Sequence, residues 1–191
     1  MASPFTVEEH KRIDAAIAEI EQGTAADLCV VVTRVSDRYS LYPIAWGAVG
    51  AILSGTLVSL IRPRIASREM ILIELSILIA ATMLLEWLPL RLRIVPERVR
   101  HARAWQLAHR EFSAHVAGSP SRHLILLFVS LGERYVEIIA DHETYALAPA
   151  GTWNKIVDEF LATVKAGRVA DGVLAAVAAC GEILKTHHPA A

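Results

Sequence analysis

Cysteine is nearly absent from this 191-residue chain, which holds only Cys29 and Cys180. No metal-type spacing is therefore possible between cysteines. Both lie in strongly apolar runs and read as buried, reduced thiols packing as small hydrophobes, with a disulfide as the alternative. Charge of one sign is also missing. Nineteen Lys+Arg against 20 Asp+Glu leave a net charge of -1, which removes the global electrostatic case for nucleic acid, and no aromatic-plus-basic RNA motif occurs. There is no glycine-rich phosphate loop, no nucleophilic serine elbow and no Cys/His pair at a recognisable spacing. His109, His115, His123 and His142 are scattered, and the tail His187-His188-Pro189 reads as solvated. The polar, acidic start Met1–Glu9 has no secretory character.

What the chain does have is grease in its middle. Hydrophobic residues make up 54% of it, and the excess is concentrated between Leu41 and Leu90. From Tyr39 to Ile61 nothing is charged. At ~1.5 Å per helical residue, Leu41–Ile61 spans the ~30 Å hydrocarbon core of a bilayer. Met70–Leu90 repeats the pattern less purely, with Glu74 and Glu86 inside it, after the arginine-rich connector Arg62–Glu69. The expectation is a transmembrane helical hairpin over 39–92, with spans at 41–61 and 70–90, inserted into a soluble domain made of 1–38 and 94–191.

Arginine placement predicts its orientation. The flanks carry Arg34, Arg38, Arg91, Arg93, Arg98, Arg100 and Arg103, against Arg62, Arg64 and Arg68 in the connector. Seven against three places the soluble domain on the cytoplasmic side of a bacterial inner membrane, with the bilayer as a partner. Gly47, Ala51, Gly55 and Ser59 form a small-residue stripe suited to close helix packing, either within the hairpin or in a homodimer. Glu74 and Glu86 fall toward opposite interfaces, where they can reach headgroups or arginines by snorkelling; an ion or proton role for them, with Glu74 facing a pore of oligomerised hairpins, is the competing reading.

The flanking parts read as a layered α/β domain. Thr6-Val7-Glu8-Glu9 is a capping box opening a helix with Ile13, Ile17 and Ile20 on one face, stopped by Gly23 in a left-handed cap. Asp27–Thr33 is a buried strand. Pro96–Phe112 is a helix whose arginines suit anionic headgroups, and Gly118-Ser119-Pro120-Ser121 breaks the chain. His123–Ser130 and Tyr135–Ala140 are antiparallel strands joined by Leu131–Arg134. A helix over Trp153–Lys165, capped by Thr152 and closed by Gly167, precedes a last one over Ala170–Lys185.

This order, with its particular words, resembles the TPM domain family. Phe5-Thr6, Glu8-Glu9, Ile13, Ala16-Ile17, Glu21, Thr24-Ala25, Asp27-Leu28 and Val30-Val31-Val32 resemble the family's opening helix and first strand. Leu124–Leu131 with Glu133–Asp141 resembles its central hairpin. Trp153, Ile156-Val157, Gly167, Gly172, Ala175-Ala176-Val177, Gly181 and Leu184 resemble its closing helices. The inserted span is similar to that of a bacterial membrane-bound branch. The resemblance implies a TPM-like fold. Family members include thylakoid-lumen proteins tied to photosystem II repair and assigned acid-phosphatase activity, a receptor accessory subunit, and membrane-tethered bacterial proteins.

Candidate chemistry lies at the strand ends. Ser36 and Asp37 follow the first strand, and Asp141, His142 and Glu143 follow the third. If both ends open on one sheet edge, Asp37, Asp141 and Glu143 converge where α/β folds place ligands. Such oxygen donors suit Ca²⁺ or Mg²⁺, and a cation there supports phosphoester hydrolysis. An aspartate after a strand also serves simply as a cap or turn residue. Two functions follow: an interaction module that binds a membrane or cytoplasmic partner protein without turnover, which the absence of an assembled catalytic set favours, or a divalent-cation-dependent membrane-bound phosphatase.

Overall fold

A computed structural model describes residues 5–64, 66–119, 121 and 123–190. The polar start Met1–Pro4, Ile65 of the connector and Pro120 of the loop-breaking run lie outside the described residues. The chain divides into two compact units, Met1–Ser36 with His101–Ala191, and Asp37–Arg100.

The first unit is built on a three-stranded sheet of β1 (Asp27–Thr33), β2 (Leu124–Ser130) and β3 (Tyr135–Ala140), in the order β1-β2-β3. β1 runs parallel to β2, with Asp27 opposite Leu124 and Thr33 opposite Ser130, and β3 runs antiparallel, with Ala140 opposite Ile125 and Tyr135 opposite Ser130. Every residue of the central strand β2 is buried, as its unbroken apolar run requires. One face carries α1 (Val7–Glu21), α7 (Thr152–Lys165) and α8 (Val169–His187). There Ile13, Ile20, Leu28, Ile125, Leu127, Phe160, Val177 and Leu184 form the main core. The other face carries α5 (Glu97–Gly118), whose Ala104 and Ala108 pack on Leu126 and Phe128. A short α6 (His142–Leu147) follows β3.

The capping box is present: Thr6 Oγ1 accepts from the Glu9 N–H at 3.3 Å, and Glu9 accepts from the Thr6 N–H at 2.8 Å. Two caps differ from expectation. Gly23 is not left-handed, because α1 ends through right-handed Gln22; Gly23 instead lies against Lys185, whose Cε would sit 3.1 Å from an added Cβ. Thr152 does not cap α7. Gly151, at φ +86°, holds that place, and Thr152 is already helical. Gly167 closes the helix at φ +81° as expected, a conformation that glycine alone adopts without strain.

The second unit contains α2 (Leu41–Ile61), α3 (Ser67–Leu85) and α4 (Leu88–Ile94). Among the described residues α2 is the one helix long and apolar enough to cross a membrane, by length and composition. The expected second span, 70–90, is interrupted. α3 ends at Leu85 with Glu86 as its cap, and Pro89 sits in the first turn of α4. Proline lacks the N–H that would continue the ladder and its ring clashes with the preceding turn, so the helix must restart. α3 also carries Arg68, Glu69 and Glu74 within its 19 residues.

Candidate functional site

The sheet register decides whether the strand-end acids can meet. Because β1 and β3 are antiparallel to each other, Thr33 and Ala140 end at opposite ends of the sheet, separated by roughly 20 Å at ~3.3 Å per residue. The ends of β1 and β3 therefore do not open on one shared edge of the sheet. Among the described residues no group of three or more His, Cys, Asp or Glu is arranged to hold a metal ion.

Asp141 is instead the N-cap of α6. Its Oδ1 accepts from the N–H groups of Glu143 and Thr144, both at 3.1 Å. Its Oδ2 accepts from the Leu124 N–H at 3.1 Å and the Thr144 hydroxyl at 2.5 Å. His123 Nδ1 stands 3.6 Å from Oδ1. Burial alone raises the Asp141 pKa, but the Thr144 and Leu124 hydrogen bonds and the His123 charge reverse this, and the net shift is downward. Glu143, grouped with Asp141 in the sequence, meets it through its backbone N–H. Asp37, near the other end of β1, accepts from the Arg38 N–H at 2.6 Å.

Sequence reasoning missed His188. Read as a solvated tail residue, it is 9% exposed, stacks on His123 with ring centroids 3.8 Å apart and pairs through Nε2 with Thr144 Oγ1 at 3.1 Å. Burial and the neighbouring His123 hold its pKa below the ordinary histidine value. The tail is tied down because the Thr24 hydroxyl donates to the His188 carbonyl at 2.5 Å and Pro189 forms a bridge with Thr24. No short-range pattern signals a contact across 65 residues.

The opposite end of the sheet holds a second buried polar group. Glu133 is 1% exposed; it accepts from the Ser36 N–H at 2.9 Å and from the Ser130 hydroxyl, which also receives the Ser36 hydroxyl at 3.0 Å. It fastens the segment leaving β1 to the β2–β3 turn, where Arg134 adopts φ +54°.

The third feature runs along β1. One cavity of about 630 Å³ is lined by Ile17 and Glu21 of α1, Asp27–Val30 of β1, and Ala114, His115 and Gly118 of α5. A second, of about 280 Å³, continues past Ile17 and Val30 to Val31, Val32 and Phe5. Together they form a slot along the open edge of the sheet. Cys29 lines the larger cavity, and its pKa is raised to about 11, first by burial and then by the carboxylates of Glu111, Glu21 and Asp27.

In the second unit the small-residue stripe faces α3. An added Cβ at Gly47 would meet Thr82 Oγ1 at 2.6 Å, and one at Gly55 would overlap the Glu74 carboxylate. Gly47, Ala51 and Gly55 are buried while Ser59 is exposed. Glu74 thus packs against α2. Glu86 does find an arginine, with Arg91 Nη1 at 3.9 Å.

No family model matches the chain, and no curated protein matches it either. Among solved structures it is similar to the NMR structure of the BA42 protein from the psychrophilic bacterium Bizionia argentinensis. The likeness covers 99% of this chain and 87% of that one, with a TM-score of 0.57 and 13% identity. At that identity the likeness is one of fold: a mixed α/β chain.

Proposed function

We propose that this chain is a membrane-anchored, TPM-like interaction module, its α/β unit held on the cytoplasmic face of a bacterial inner membrane and binding a partner protein without turnover. One observation carries the reading: the apolar surface of the second unit is uncovered. Leu41, Trp46, Ile52, Leu53, Leu57 and Leu60 of α2 stand exposed, as do Ile71, Leu75 and Met83 of α3. A stable water-soluble protein rarely leaves so continuous an apolar patch bare, whereas a bilayer covers it. The close fit of α3 on Gly47 and Gly55 supports both helices entering lipid together, with the Glu74 carboxylate turned against α2 as a costly intramembrane charge needs to be. The arginine distribution supports the cytoplasmic assignment.

The family's phosphatase activity gains no support here. Asp141 spends both carboxylate oxygens on backbone and Thr144 donors. The test is twofold. Membranes from cells expressing the full chain are extracted with alkaline carbonate; retention of the chain in the pellet is expected, and its release overturns the anchor. The detergent-purified chain is then given an aryl phosphate with and without chelator. No turnover is expected, and chelator-sensitive turnover lost in Asp141→Ala overturns the non-catalytic reading.

A further inference from the structure

The open edge of β1 has the construction of a peptide-binding strand. Parallel pairing lets alternate residues of β1 turn their backbone groups toward β2. Asp27 does so, its N–H donating to the His123 carbonyl at 2.9 Å, and so does Thr33, its carbonyl accepting from Leu131 at 3.0 Å. Cys29 and Val31 share their parity. The N–H and C=O groups of Leu28, Val30 and Val32 therefore point away from the sheet, where among the described residues no further strand pairs. Among the described residues, several devices that usually protect an edge are missing. The register runs unbroken from Asp27 to Thr33, without a bulge, and no proline or lysine interrupts Asp27–Thr33. At one end the Glu21 carboxylate accepts from the Leu28 N–H at 3.5 Å, in the position where the carbonyl of an added strand would stand.

The slot beside that edge has a definite chemistry. Its walls are the apolar flanks of α1 and α5, and the acids Glu21 and Asp27 line it, with the Glu111 carboxylate near enough to act on Cys29 as well. The other sheet edge is less suitable: the cavity there touches only Tyr135 and Val136 of β3, while those along β1 reach Asp27–Val32.

Resting on the interaction-module reading above, we infer that the β1 edge captures an extended, cationic segment of a partner protein as a fourth strand. Backbone hydrogen bonds at Leu28, Val30 and Val32 supply affinity, apolar side chains of the segment enter the slot, and its Lys or Arg residues meet Glu21, Asp27 and Glu111.

The experiment uses the full chain in detergent micelles and two labelled peptides, one alternating lysine with valine and one alternating glutamate with valine. Fluorescence anisotropy is expected to show saturable binding of the lysine peptide, weakened by salt, and binding of the glutamate peptide about tenfold weaker or absent. Amide exchange is expected to slow at Val30 and Val32 on binding. Cys29 and Val31, already bonded to β2, are expected to be slow throughout. Val30→Pro removes an outward N–H, along with a side chain that packs on the core, and is expected to weaken binding about tenfold. Should that variant misfold, Glu21→Gln with Glu111→Gln tests the electrostatic half, and is expected to abolish the preference for the lysine peptide. Equal or absent binding of both peptides overturns the inference. So does slow exchange at Val30 and Val32 in the free chain that rises with protein concentration, which would assign the edge to a second copy. Carbonate extraction reads the anchor independently, so failure of one reading does not imply failure of the other.

Discussion

Gly181→Ala offers a demanding test of the packing that supports the β1 slot. Gly181 lies inside α8, where glycine costs about 1 kcal/mol relative to alanine. On propensity alone the substitution should stabilise. The structure predicts the reverse. A Cβ at position 181 would stand 2.6 Å from Ile20 Cδ1, 2.7 Å from Cγ1 and 3.0 Å from Cγ2, where carbon atoms prefer about 3.5–4.0 Å. Contact with both branches of the isoleucine means that no single side-chain rotation clears the overlap, so α1 and α8 must part. Overpacking of that kind costs about 1–3 kcal/mol, and with three close contacts we take the upper half of the range. Net destabilisation of about 1–2 kcal/mol remains after the propensity gain. Urea unfolding of the full chain in micelles, followed by circular dichroism, measures it. In an Ile20→Ala background, itself about 2–5 kcal/mol weaker, the obstructing atoms are gone and Gly181→Ala should stabilise by about 1 kcal/mol. The sign must invert between the two backgrounds. A Gly181→Ala variant as stable as the parent with Ile20 intact refutes the close approach.

Three further expectations rest on separate observations. Asp141, with its pKa lowered by Thr144 and Leu124, contributes stability that is complete above the ordinary aspartate value and lost as pH falls through the lower folded one; His188, with its pKa also lowered, is protonated first in the unfolded chain, so stability falls with pH from the ordinary histidine value downward. Urea midpoints between pH 7 and 3 should therefore lose their upper slope in His188→Gln and their lower slope in Asp141→Asn, and unchanged slopes would contradict the cluster. In the second unit Gly55→Leu should drive Glu74 from its place and lower the carbonate-resistant fraction several-fold, while adding Glu74→Ala restores it; failure of that rescue separates the two residues. Cys180, fully buried with its pKa pushed up to about 12, should resist iodoacetamide until urea unfolds the chain, and rapid alkylation of the native protein would show the core to be open.

Local signals carried most of the fold. β1 and β3 fall on the residues expected for them and β2 begins one residue later, because continuous β-branched and aliphatic runs between breakers leave little freedom. The capping box was equally readable, since its two hydrogen bonds join residues three apart. What the sequence concealed was pairing over distance. Gly23 has the position of a left-handed stop, but α8 arrives beside it and Lys185 fills the space. Thr152 has the chemistry of a cap, but Gly151 makes the turn one residue earlier. Proline at position 89 was the visible warning that 70–90 could not be one helix. His188 carried no warning, for its burial depends on Thr24 and His123 far away in the chain.

The strand-end site illustrates how much topology can change a chemical reading. Asp37 and Asp141 each follow a strand, and had β3 run parallel to β1 both would have opened on one edge. The tight Leu131–Arg134 turn instead reverses β3, and the two ends of the sheet become separate polar clusters. Each is internally matched: Asp141 with Thr144, Leu124 and His123 at one end, and Glu133 with Ser36 and Ser130 at the other. Carboxylates engaged by several donors in this way fix the geometry around them more readily than they bind something new. The backbone of β1 between the clusters is different, because Val30 and Val32 turn hydrogen-bonding groups away from β2, where among the described residues no further strand pairs. An unpaired sheet edge offers a row of such groups at strand spacing, while its neighbours α1 and α5 set what kind of side chain can follow. Recognition along that edge needs no catalytic set: Asp141 and Glu133 fasten the ends of the sheet, while Glu21, Asp27 and Glu111 stand beside β1.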